Sequence, residues 1–139
     1  MSPRRTFLDA GVLIAAARGT GGMALRALEV LDDPNRTFVS SIFVKLEVLP
    51  KAVYNSFKEE AEFYESFFEN DVEFWVGFSD EMADFAQEQA ARFGLGALDA
   101  LHTAAAISAG AEEFITTEKP GKPLHRVKDL RVISIHRVR

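Results

Sequence analysis

The 139-residue chain reads as an α/β fold, with a mostly parallel sheet covered on both faces by helices. Three observations carry this. Short strand-like runs alternate with helical segments along the whole length. The size suits one domain, residues 1–139, with a sizeable core. No internal repeat or low-complexity linker divides it.

The elements follow in order. Thr6-Phe7-Leu8 is a short buried strand ending at Asp9. Val12 to Ala17 opens a helix that Gly19, Gly21 and Gly22 break. Met23 to Leu31 places Ala24, Leu25, Ala27, Leu28 and Leu31 at helical spacing. Asp32-Asp33-Pro34-Asn35 stops it. Thr37-Phe38-Val39 is a second strand. Ser40 or Ser41 then caps a helix from Ile42, with Pro50 near its end. Ser56 to Asn70 is an amphipathic helix whose apolar face is Phe57, Ala61, Tyr64, Phe67 and Phe68. Val72 to Val76 is a strand. Ser79 caps a helix that ends at Gly94. Gly96 precedes an alanine-rich helix, Ala97 to Ala109, ended by Gly110. Phe114-Ile115-Thr116 is a strand, Pro120, Gly121 and Pro123 mark a loop, and Val132 to Ile135 is the last strand.

Composition excludes several classes. Apolar residues are 47% and aromatics 11%, too many for a disordered chain. Cysteine is absent, so no disulfide framework, zinc–thiolate site or thiol nucleophile exists. Asp9 interrupts the apolar run Phe7–Ile14, which is also far short of the ~20 residues of a membrane span. The expectation is a soluble, unprocessed, cytoplasmic protein that does not engage a membrane. Acids outnumber bases 21 to 16, a net charge of −5, which argues against a uniformly basic nucleic-acid binder.

That charge is unevenly placed. Lys58 to Glu73 holds seven acids and one base, Lys119 to Arg139 seven bases and one acid. The acidic block reads as the wet face of a helix. The basic tail reads either as a charge-protected edge strand or as a phosphate-facing surface.

Four acids lie where solvent does not explain them. Asp9 and Glu118 follow apolar strands, Glu47 lies within the apolar stretch Ile42–Leu49, and Asp99 sits in the first turn of the most apolar helix. Singly, each has an ordinary explanation as a turn, dipole, surface or loop acid. In an open parallel sheet, however, sites form beyond the carboxyl ends of the strands. Convergence there would set like charges together, a conflict that a hard divalent cation removes. Mg²⁺ or Mn²⁺ suits carboxylates without a histidine cluster, and such an ion supports phosphoryl displacement.

Thr6-Phe7-Leu8-Asp9-Ala10-Gly11-Val12-Leu13-Ile14, Ser40-Ser41-Ile42 through Glu47, Leu98-Asp99-Ala100-Leu101-His102 and Phe114-Ile115-Thr116-Thr117-Glu118-Lys119 together resemble the PIN domain family, in its toxin-like (VapC-like) branch. The resemblance spans nearly the whole chain. It implies a three-layer α/β/α fold and a Mg²⁺- or Mn²⁺-dependent endoribonuclease leaving 5′-phosphate and 3′-hydroxyl ends. It also implies the toxin half of a toxin–antitoxin pair, with an antitoxin protein as partner, and a homodimer. Carried over by position, Asp9, Glu47 and Asp99 form the metal-binding set, Glu118 is the fourth acid, and Ser41, Thr116 and Thr117 support them. The chain departs from the family pattern in having Ala10-Gly11 after the first Asp, where a hydroxyl or amide is common, and Glu rather than Asp as the fourth acid. His102, one turn from Asp99, is either a substrate contact or a packing residue. Arg4, Arg5, Lys45, Lys51 and the basic tail are candidates to steer substrate.

Two other function classes compete. One is a PIN-like RNA- or protein-binding module with little or no catalysis. The other is a phosphatase using Asp9 as nucleophile, but Gly11 stands where that chemistry wants a second acid. Gly19-Thr20-Gly21-Gly22 lacks the strand-then-helix context of a dinucleotide fingerprint.

Overall fold

The structure, a computed structural model, describes residues 2–136. Met1 and the end of the basic tail, residues 137–139, lie outside them. The strands are β1 (Arg4–Leu8), β2 (Arg36–Ser41), β3 (Val72–Val76), β4 (Glu113–Thr116) and β5 (Arg131–Ser134). The helices are α1 (Ala10–Arg18), α2 (Gly21–Leu31), α3 (Ile42–Tyr54), α4 (Lys58–Ser66), α5 (Asp80–Phe93) and α6 (Ala97–Ser108).

All four strand pairings are parallel and the sheet order is β3-β2-β1-β4-β5. Phe7 of β1 stands between Val39 of β2 and Phe114 of β4, and all three are fully buried. Connections run one way from β1 to β3, then cross back to β4. Parallel crossovers are right-handed as a rule, so α1 to α4 cover one face and α5 with α6 cover the other. The packing agrees, with α1 against α2, α3 and α4, and α5 against α6. Ala104, Ala105 and Ala106 are fully buried, and their small side chains let α6 lie close to the sheet. This is the expected α/β/α arrangement, with a sheet that is wholly rather than mostly parallel.

Element boundaries differ from the sequence reading by a residue or two in several places; Gly21 and Gly22, expected to break the chain before Met23, instead form the first turn of α2, whose N-cap is Thr20, and three other differences are instructive. The first helix starts at Ala10, two residues early, because Asp9 is its N-cap. Helix α3 runs past Pro50 to Tyr54. The missing proline N–H falls on a solvent-facing turn, with Pro50 exposed and Leu46 62% exposed, so water can satisfy the freed carbonyl. The expected helix 56–70 is α-helical only to Ser66, then widens into a π-turn over Phe67–Asp71. The wider turn lets the adjacent Phe67 and Phe68 both point inward, toward Phe38 and Trp75.

A charged network closes the amino-terminal edge of the sheet. Glu113, almost wholly buried, accepts hydrogen bonds from Arg36 Nε (2.5 Å) and Thr6 Oγ1 (2.8 Å), with Arg4 Nε 3.6 Å away. Arg36 also pairs with Asp33 at 2.8 Å. Arg5 lies over the Phe74 ring and donates to the Ala109 carbonyl. Arg4 and Arg5 therefore serve the fold at the sheet edge opposite Asp9. β5 forms one sheet edge, and Lys119, Lys122, Lys128 and Arg131 around it are exposed.

Candidate metal centre

The direction of the crossovers reverses between β1 and β4, and the crevice beyond their carboxyl ends is where an open α/β sheet binds ligands. Asp9 ends β1 there. Its Oδ1 accepts from the Val12 N–H at 3.2 Å, capping α1, and its Oδ2 accepts a very short hydrogen bond from Thr116 Oγ1 at the end of β4. Thr116 Oγ1 in turn accepts from the Glu118 N–H at 3.0 Å, so one hydroxyl ties the first acid to the loop bearing the fourth. Glu47 approaches from α3 on one layer and Asp99 from the first turn of α6 on the other.

Asp9, Glu47, Asp99 and Glu118 all line one cleft of about 240 Å³, together with Gly11, Ile14, Leu98, His102 and Thr117. A larger hollow of about 500 Å³ at the amino end of β2, lined by Leu28, Phe38, Phe63 and Phe67, gathers none of the four. Ser41 is buried and caps α3, accepting from the Val44 N–H at 3.4 Å, so its recorded bond serves the helix start rather than an acid.

The electrostatics of the cleft are those of crowded negative charge. Burial pushes the Asp9 carboxyl up from 3.8 to about 6, although the Thr116 and Val12 hydrogen bonds pull the other way. Asp99 is also raised, first by burial and then by the charge of Glu118. The Glu47 charge adds to both. Among the described residues, no three Asp, Glu or His side chains stand close enough together to hold one ion. The carboxylates ring the cleft without closing on a point. The donor chemistry nonetheless fits a hard divalent cation: every candidate ligand is an oxygen, and positive charge between them would relieve both raised carboxyls.

The family model of the PIN domain matches residues 6–120 of the chain. The chain belongs to the PIN domain family. Solved structures that share its fold include the following three. The VapBC2 complex of Rickettsia felis, bound to a DNA fragment from its promoter, is 20% identical with a TM-score of 0.69, covering 94% of this chain and 98% of that one. A toxin–antitoxin complex from Klebsiella pneumoniae is 19% identical with a TM-score of 0.71, covering 96% and 99%. VapC20 of Mycobacterium tuberculosis, a toxin that cleaves the sarcin–ricin loop, is 14% identical with a TM-score of 0.64, covering 91% and 98%. Comparison with curated protein sequences gave no significant match.

The geometry of this PIN domain accounts for its departure at Gly11. A Cβ at that position would lie 2.2 Å from Thr117 Oγ1 and 3.3 Å from Asp9 Oδ1. Thr117 thus occupies the space that a side chain at position 11 would fill, and brings a hydroxyl to it. The sequence alone gave no sign of this, because the two residues meet only when β1 and β4 pair. Gly11→Ala is expected to displace Thr117 and to lower stability by about 1–3 kcal/mol. Thr117→Gly in the same chain should restore most of that loss, as read by denaturant melts. An additive double mutant would show that the two positions do not share this space.

Proposed function

We propose that the protein is a divalent-metal-dependent endoribonuclease and the toxin of a toxin–antitoxin pair. The observation that carries this is the gathering of Asp9, Glu47, Asp99 and Glu118, from four separate elements, in one cleft at the switch point of the sheet. Asp9 and Asp99 would hold Mg²⁺ or Mn²⁺, with Glu47 as a further ligand or as the group that orients the attacking water. Glu118 adds a fourth oxygen at the Asp99 side. When bound, the ion supplies Lewis-acid stabilisation of the phosphoryl oxygens and lowers the pKa of water. The chain's own contribution is to hold the carboxylates still: Thr116 and the Val12 N–H orient Asp9, and Thr117 fills the floor over Gly11. The toxin–antitoxin complexes among the fold relatives support an antitoxin partner, and VapC20, a sarcin–ricin loop cleaving toxin, supports a nuclease acting on RNA. One domain over residues 1–139, acting as a homodimer in the cytoplasm, completes the proposal.

Cleavage of structured or single-stranded RNA should appear with Mn²⁺ and vanish with chelator. Asp99→Asn should slow it at least about 100-fold, more than loss of a ligand's supporting partner usually costs. Cleavage that survives both chelator and Asp99→Asn would sink the proposal. The spread of the carboxylates favours one second reading, a PIN domain that binds RNA or protein without cutting. That reading predicts no cleavage and no thermal shift on adding Mn²⁺.

A further inference from the structure

His102 meets Glu47 across the cleft floor, although the two come from opposite helical layers. Its Nε2 lies 2.8 Å from Glu47 Oε1. The histidine is only 3% exposed, while the Glu47 side chain is 35% exposed. A ring so enclosed has almost no surface to offer a substrate, which decides between the two roles open to it in the sequence.

The ring is also fixed from behind. Its centroid lies 5.9 Å from that of Phe7, a fully buried β1 residue two positions before Asp9. Nδ1 is buried with no hydrogen-bond partner. A proton on Nδ1 would be an orphan donor in apolar surroundings, which costs more than an unused lone pair there. The proton therefore sits on Nε2 and is donated to Glu47. Among the described residues Glu47 has no other side-chain hydrogen bond, and its long side chain has three rotatable bonds to restrain.

We infer that His102 is a positioning residue, whose Nε2–H holds the Glu47 carboxylate at the cleft so that it can serve as a cation ligand. The inference rests on the metal-site reading above. Supporting partners of this kind typically change metal affinity or activity 10–100-fold when removed.

The test is calorimetric titration of the full chain with Mn²⁺ alone, beside RNA cleavage and metal-free thermal melts. His102→Leu should weaken Mn²⁺ binding and lower kcat/KM by about 10–100-fold. His102→Gln, whose amide Nε2 stands in for the imidazole N–H, should recover most of both. In a Glu47→Ala background, His102→Leu should add less than about twofold, because the two act through one contact. Equal Mn²⁺ affinity in wild type and His102→Leu overturns this inference and leaves the nuclease proposal standing. A wild-type chain that neither binds Mn²⁺ nor cuts RNA overturns both. Imidazole ¹⁵N spectra keep the inference testable if His102→Leu does not fold. Wild type should show the Nε2–H tautomer, with a signal that moves in Glu47→Ala; a signal indifferent to Glu47 overturns the contact.

Discussion

Asp9→Asn should slow RNA cleavage at least about 100-fold and, in the absence of metal, make the protein more stable at pH 7. Asp9 is buried, and burial lifts its carboxyl to about 6 from 3.8. A raised carboxyl means that the folded state holds a proton the unfolded state has already lost. Stability therefore falls as pH rises from about 4 to 6, and the full penalty stands above that range. At 1.36 kcal/mol per pH unit this amounts to about 3 kcal/mol at pH 7. Asparagine is uncharged, can still accept from the Val12 N–H as N-cap, and can donate to Thr116 Oγ1. The variant should melt several degrees above wild type at pH 7, and the gap should close below about pH 4. Adding Mn²⁺ should raise only the wild type. Melting curves across pH, with and without Mn²⁺, check this. A variant less stable than wild type at pH 7 would show that the Asp9 charge is already compensated within the protein. For cleavage, the proposed role of Asp9 as a metal ligand predicts a loss of at least about 100-fold.

Arg36→Leu should be strongly destabilising although it lies away from the cleft. It strips the nearest cation from the buried Glu113 and leaves Arg4, 3.6 Å away, as its remaining charged partner. Breaking a buried ion pair from one side costs about 3–5 kcal/mol, because the surviving charge has been taken out of water. The melting temperature should fall by about 10 °C or more. Burial by itself would raise the Glu113 carboxyl, but the Arg36 and Thr6 hydrogen bonds and the two arginine charges outweigh it and hold it below 4.5. A lowered carboxyl stabilises the fold above its unfolded value and loses that contribution as pH falls through its folded one. Wild type and Arg36→Leu should therefore differ most at neutral pH and converge in acid. Arg36→Leu with Glu113→Leu should regain much of the loss, since an apolar pair needs no compensation. A deficit under about 1 kcal/mol at pH 7 would place this network with ordinary surface pairs.

Much of the fold was legible from residue spacing. The alternation of apolar runs with helical periods located every strand and α-helix, though not the short 3-10 turn Pro123–Arg126, and Ser79 and Gly94 marked helix ends through a local hydrogen bond and a left-handed turn. The misread stretches are ones where a nonlocal demand overrode a local signal. Phe67 and Phe68 both had core places to fill, and a wider helical turn served both. Pro50 normally ends a helix, but here its missing donor faces water. Glu113 falls just before the expected strand Phe114-Ile115-Thr116, and only strand pairing brings Arg36 and Thr6 to it.

The candidate site divides in the same way. The sequence by itself determined which acids were out of place, because Asp9, Glu47, Asp99 and Glu118 each interrupt or terminate an apolar run that must be buried. It also narrowed the chemistry, since a cysteine-free set of carboxylates without a histidine cluster favours a hard cation. Only the tertiary structure decided what each group touches. Thr116 lies 107 positions from Asp9 and His102 lies 55 from Glu47. Thr117 covers Gly11 only through the pairing of β1 with β4. Local spacing reports periods and caps within a few residues. A hydrogen bond between distant residues depends on strand order and on which layer each helix joins, and those are set when the whole core packs.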